Sequence, residues 1–111
     1  MEHDIKKFTD WLNTQLNQVI IIQKREHDDV DHVQFNMSQY EIVEAGDASD
    51  DYMDSALILK GTGSIMNSTG DFVPLPQESY EIVLTNLTIT NFDTDEIELI
   101  TSRANYNISL K

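Results

Sequence analysis

The chain has 111 residues, with 20 Asp and Glu against 7 Lys and Arg, a formal charge of −13. That length builds one domain, residues 1–111, and leaves no room for a second core. The charge excludes direct nucleic-acid binding, which needs clustered cations, and disfavours anionic membrane surfaces. The absence of cysteine excludes a disulfide scaffold, a thiolate metal centre and a cysteine nucleophile.

Residues 4–17 are predicted to form an amphipathic helix. Ile5, Phe8, Leu12, Leu16 and Val19 recur at helical spacing, Trp11 widens the stripe, and Asp4 is placed to cap the start. The β-branched run Val19-Ile20-Ile21-Ile22 then favours strand, and an antiparallel meander is expected over about 18–110. That run is also the longest apolar stretch, far too short to span a bilayer. Glu26 to Asp31 reads as a polar hairpin connection.

Val33, Phe35 and Met37 alternate with polar residues, and Tyr40 and Ile42 continue on the other parity. A bulge is therefore expected near Ser38–Gln39. Ala45 to Asp54 reads as an acidic loop and 55–66 as a strand. Gly61 and Gly63 within that strand mark a close approach of another backbone. In the loop 67–79, Phe72, Val73 and Leu75 are expected to fold over the sheet's end. Two long strands complete the chain, with parity changes near Asn86 and Ser102–Arg103 read as further bulges. The expected fold class is α+β: the N-terminal helix packed on a strongly bent, bulged antiparallel sheet of five or six strands.

The charge is unevenly placed. Residues 1–25 hold Lys6, Lys7, Lys24 and Arg25 against Glu2, Asp4 and Asp10, whereas 26–111 hold Lys60, Arg103 and Lys111 against 17 carboxylates. So few cations leave most of these acids without an internal partner, and they must face water. His27 and His32, bracketing Asp28, Asp29 and Asp31, match no metal-ligand template. The acidic runs Asp50-Asp51 and Asp93–Glu98 lack the spacing that makes oxygens converge on calcium. There is no nucleophile elbow, and Gly61-Thr62-Gly63-Ser64 lacks the lysine of a phosphate loop. The sequence assigns no catalytic residue, no cofactor and no metal.

The expected function is a small acidic protein-binding module, of inhibitor, immunity or DNA-mimic type, in the cytoplasm. Its basic partner would meet the carboxylates Glu26, Asp28, Asp29, Asp31, Asp47, Asp50, Asp51 and Asp54. One alternative is an assembly subunit, such as a phage or homo-oligomer component joined through sheet edges. Another is a carrier whose apolar cavity is lined by Phe8, Trp11, Leu12, Phe35, Tyr80 and Tyr106.

Overall fold

The computed structural model describes residues 2–43 and 55–111. The amphipathic N-terminus forms helix α1, Glu2–Asn13, and buries Phe8, Trp11 and Leu12. The helix stops before the predicted end. Asn17 adopts a left-handed φ of 66°, a conformation Asn tolerates well, and its N–H donates to the carbonyl of Met37 at 2.7 Å. Leu16, the next residue of the apolar stripe, is consequently 36% exposed. The β-branched run then enters a strand, as the sequence predicts.

Eight strands follow: β1 Gln18–Glu26, β2 Asp29–Val43, β3 Ala56–Met66, β4 Phe72–Pro74, β5 Ser79–Val83, β6 Thr88–Phe92, β7 Glu96–Ile100 and β8 Asn105–Leu110. All pair antiparallel in one sheet of order β4-β3-β2-β1-β8-β7-β6, with β5 also on β3. Alternate residues point inward and meet in a single core, among them Ile20, Ile22, Val33, Phe35, Leu57, Leu59, Ile97 and Ile108.

The sheet curls, and its connectivity forces it to. β5 and β6 lie at opposite ends of the pairing path yet are joined by residues 84–87 alone. Six inter-strand steps of about 4.8 Å would set those ends about 29 Å apart if the sheet were flat. The link can reach only about 17 Å. The result is a rolled sheet whose ends approach without pairing, and the Ser102 N–H reaches Thr85 O at 2.9 Å beside that seam.

This overturns the α+β expectation of a helix packed on five or six strands. The molecule is predominantly an eight-stranded antiparallel sheet with one short helix. The parity changes near Asn86 and Ser102–Arg103 are turns that end strands, not bulges within them. Asn86 has φ 58°, and Leu87 N–H donates to Leu84 O at 3.1 Å. At the second site Thr101 N–H donates to Ala104 O at 2.9 Å, while the Thr101 hydroxyl accepts from the N–H groups of Arg103 and Ala104. Phe72 and Val73 also depart from expectation. They form the edge strand β4 and stay exposed, and only Leu75 turns back onto the core.

Among the described residues, side-chain bonds tie helix α1 to its surroundings. Trp11 Nε1 donates to Thr94 O at 3.1 Å, and the Tyr40 hydroxyl donates to Asn13 Oδ1 at 3.0 Å. Asp4 acts on the sheet and not as the expected cap: its Oδ2 accepts from the half-buried Ile89 N–H of β6 at 3.1 Å. A helix side chain thus satisfies a donor on an end strand, one way of protecting a sheet edge. Asp4→Ala is expected to lower stability by about 1 kcal/mol, seen as a lower urea midpoint at unchanged slope.

Candidate functional site

β1 and β2 form a hairpin whose last cross-strand pair is Glu26 with Asp29. Only His27 and Asp28 make the turn, and His27 takes the left-handed φ of 56° that such two-residue connections demand. The rest of the predicted polar connection is strand. Register then decides which way each acid points. Ile20 and Ile22 face inward, so Lys24 and Glu26 share that face, and so do their partners Asp31 and Asp29. These four side chains form a charged lip above the inner face at one end of the roll. The β7–β8 turn lies at the same end, because Arg25 pairs with Asn105.

Several acidic positions elsewhere have side-chain partners. Asp10 pairs with Lys6 at 2.9 Å and Glu41 with Lys60 at 2.7 Å. The Asn107 amide donates to Glu96 and Glu98 at 3.2 and 2.9 Å. At the hairpin, Glu26 meets Lys24 at 3.4 Å. Asp28, Asp29 and Asp31 are exposed and have no ion-pair or hydrogen-bond partner among the described residues.

Two tyrosines lie beneath the lip. Tyr106, paired with Lys24 and almost fully buried, has its phenol pushed up to about 12, first by burial, then by the charges of Glu26 and Glu81, with Asp31 adding and Arg103 opposing. Tyr80, tilted against Phe35 with ring centroids 6.5 Å apart, is also pushed up, first by burial and then by Tyr106 and Asp31. Its hydroxyl is buried without a hydrogen-bond partner among the described residues. Carboxylates from β1, β2 and β5 thus act on this pair of phenols.

Of the eight acids expected to meet a partner, Glu26, Asp28, Asp29 and Asp31 come together at this tip. Asp47, Asp50, Asp51 and Asp54 lie outside the described residues, in the segment joining Val43 to Ser55. Val43 is at the far end of β2 from Asp29. Sequence reasoning missed Glu81 and Arg103. Glu81 alternates with inward Tyr80 and Ile82 like any outward strand residue, and only the curl of the sheet brings β5 near the lip.

The proposed cavity walls Phe8, Trp11, Leu12, Phe35 and Tyr106 are packed against one another in the core, with Tyr80 against them. A shallow groove of about 310 Å³ on the outer face has a polar lining that includes Gln23, Arg25, Glu98, Asn105 and Asn107. Among the described residues no cluster of three His, Asp or Glu side chains is placed to hold a metal ion. No helix among them is long and apolar enough to cross a membrane.

A small, cysteine-free chain built on a rolled antiparallel sheet with an acidic hairpin is the class these observations define. The chain belongs to the YmzB-like protein family, whose model matches residues 1–111. It is 28% identical over 117 aligned positions to Uncharacterized protein YmzB of Bacillus subtilis (strain 168), an alignment covering 100% of this chain and 98% of that protein. No solved structure matches it.

Proposed function

We propose that this protein is a non-catalytic, cytoplasmic binding module that engages a basic protein through the β1–β2 hairpin, in the manner of an inhibitor or immunity protein. The observation that carries this reading is the trio Asp28, Asp29 and Asp31: three exposed carboxylates within four residues, unpartnered among the described residues, on a chain of net charge −13. Holding like charges together at a hairpin tip costs stability through mutual repulsion. A cationic partner relieves that repulsion on binding, and the long-range field accelerates encounter.

The test is affinity capture from a native lysate at low and high salt, with wild type beside the triple variant Asp28→Asn, Asp29→Asn, Asp31→Asn. A basic protein is expected at low salt with wild type, diminished by the triple variant and by screening, since the Debye length falls to about 10 Å at 0.1 M salt. Equal recovery by both chains, or recovery indifferent to salt, contradicts the reading.

A further inference from the structure

The groove on the outer face holds opposite charges apart. Ile20 and Ile22 of β1, Leu99 of β7 and Tyr106 of β8 point inward, so Arg25, Asn105 and Ile100 point outward. Register sets these three in one row, Arg25 against Asn105 and Asn105 against Ile100. The next row holds Gln23, Asn107 and Glu98. Arg25 is exposed and, in a chain with 20 Asp and Glu, has no ion-pair or hydrogen-bond partner among the described residues. Its neighbours across the strands are Val30 and Asn105, neither of them acidic, while Lys24 and Glu26 face the other side of the sheet. At the diagonal corner, Glu98 shares the Asn107 amide with Glu96, and neither is in an ion pair among the described residues. Between the corners, the side-chain amides of Gln23 and Asn105 have no hydrogen-bond partner among those residues.

We propose that this groove binds a short peptide of two or three residues with free ends, its carboxylate on Arg25 and its ammonium on Glu98. Two inter-strand steps of about 4.8 Å and two residues of about 3.4 Å set the Cα atoms of Arg25 and Glu98 about 12 Å apart. An extended chain of two or three residues spans about 7–10 Å, and the two charged side chains cover the remainder. A guanidinium holds a carboxylate through two parallel N–H···O bonds, and Glu98 keeps lone pairs beyond its Asn107 bond for an ammonium. Side-chain amides carry both a donor and an acceptor, so Gln23 and Asn105 match the peptide groups between the ends. Ile100, 42% exposed, offers apolar surface to a side chain. The volume of about 310 Å³ lies at the small end of ligand sites, which run from about 300 to 1,000 Å³. A simple anion would face Glu98 as a like charge, and a simple cation would face Arg25. A dipolar ligand answers both corners. The acidic lip lies over the inner face, so this site is independent of the role proposed for the hairpin.

The experiment titrates the whole isotope-labelled chain with the tripeptide Ala-Leu-Ala, its N-acetylated form and its C-amidated form, read by backbone amide shifts. The free tripeptide is expected to saturate with Kd below about 1 mM and to move the amides of Arg25, Glu98, Ile100 and Asn105. Amidation removes the anion and is expected to weaken binding about tenfold; acetylation removes the cation and is expected to weaken it about fivefold. Arg25→Gln should abolish the effect of amidation and leave that of acetylation. Glu98→Gln, which keeps an acceptor for Asn107, should do the reverse. The comparison among the three peptides needs no change to the chain, so it decides the matter even where a variant misfolds. Failure of the free tripeptide to saturate, a blocked form that binds as tightly as the free one, or shifts confined to the hairpin from Glu26 to Asp31 overturns the proposal. None of these results bears on capture of a basic protein by the hairpin.

Discussion

Gly61→Ala is expected to be the most damaging single-methyl change in the molecule, costing about 3 kcal/mol or more of the 5–15 kcal/mol that typically holds a domain together. Gly61 has φ +155°, which L side chains rarely adopt, and a Cβ there would overlap the carbonyl oxygen of Asn36. The next atoms it would meet, Asn36 C at 3.0 Å and Met37 Cα at 3.3 Å, are also backbone. No rotamer change relieves such a clash, so β2 and β3 would have to separate. They would separate where their register slips between Met37 and Gln39, and where the Met37 carbonyl accepts from Asn17 at the entry to β1. Two other glycines calibrate the claim. At Gly63 a Cβ would meet the Gln34 backbone oxygen and Phe35 Cδ1, each at 2.6 Å, so the strands must shift there too, but less far and without a left-handed φ to strain, and about 2–3 kcal/mol is expected. Gly70 has φ +88° but nothing within 4 Å, so only the local left-handed penalty of about 1–2 kcal/mol applies. Urea midpoints should fall in the order Gly70→Ala, Gly63→Ala, Gly61→Ala, with the last lowest. A Gly61→Ala chain as stable as Gly70→Ala would mean that the strands do not approach so closely.

The same bulge shows what side-chain alternation conveys and what it leaves out. Val33, Phe35 and Met37 on one parity and Tyr40 on the other place a defect near Ser38, and the ladder slips there. The signal is reliable at that point because polar residues continue on both sides and nothing breaks the strand. At Asn86 and at Ser102–Arg103 the parity also changes, but the chain turns. The distinguishing chemistry is local: an Asn that tolerates positive φ and a Thr whose hydroxyl accepts two backbone N–H groups. Reading those positions as bulges merges short strands into long ones and yields five or six in place of eight. The β1–β8 pairing, which joins the first and last strands, has no local signature at all.

The candidate site divides in the same way. Glu26, Asp28, Asp29 and Asp31 are close in sequence, so a hairpin was enough to gather them. What the sequence does not show is that Glu26, Asp29 and Asp31 fall on the core-side parity, or that Glu81 and two buried phenols belong to the same electrostatic neighbourhood. The first follows from the hairpin register and the second from curl, and curl follows from the short link between β5 and β6.

Alkaline pH is expected to destabilise the fold through those phenols. In the unfolded chain a tyrosine titrates near 10. In the folded chain Tyr106 titrates at about 12, because burial and then Glu26, Glu81 and Asp31 penalise the phenolate. An acid whose folded pKa lies above its unfolded value contributes its full stabilisation below the unfolded pKa. It loses that contribution as pH rises, because the unfolded chain releases a proton that the folded chain retains. For Tyr106 the window is about pH 10 to about pH 12 and the loss about 2–3 kcal/mol; Tyr80 acts in the same direction. Stability from urea titrations should therefore decline across that window, and Tyr106→Phe should remove much of the decline. Asp31→Asn is the more telling variant. Asp31 acts on both phenols from an exposed position on the hairpin, so neutralising it should move their ultraviolet phenolate titration to lower pH. A titration indifferent to Asp31 would separate the lip electrostatically from the core beneath it. The expected shift would show that the field of the acidic hairpin reaches inward at this end of the roll, where the partner is proposed to bind.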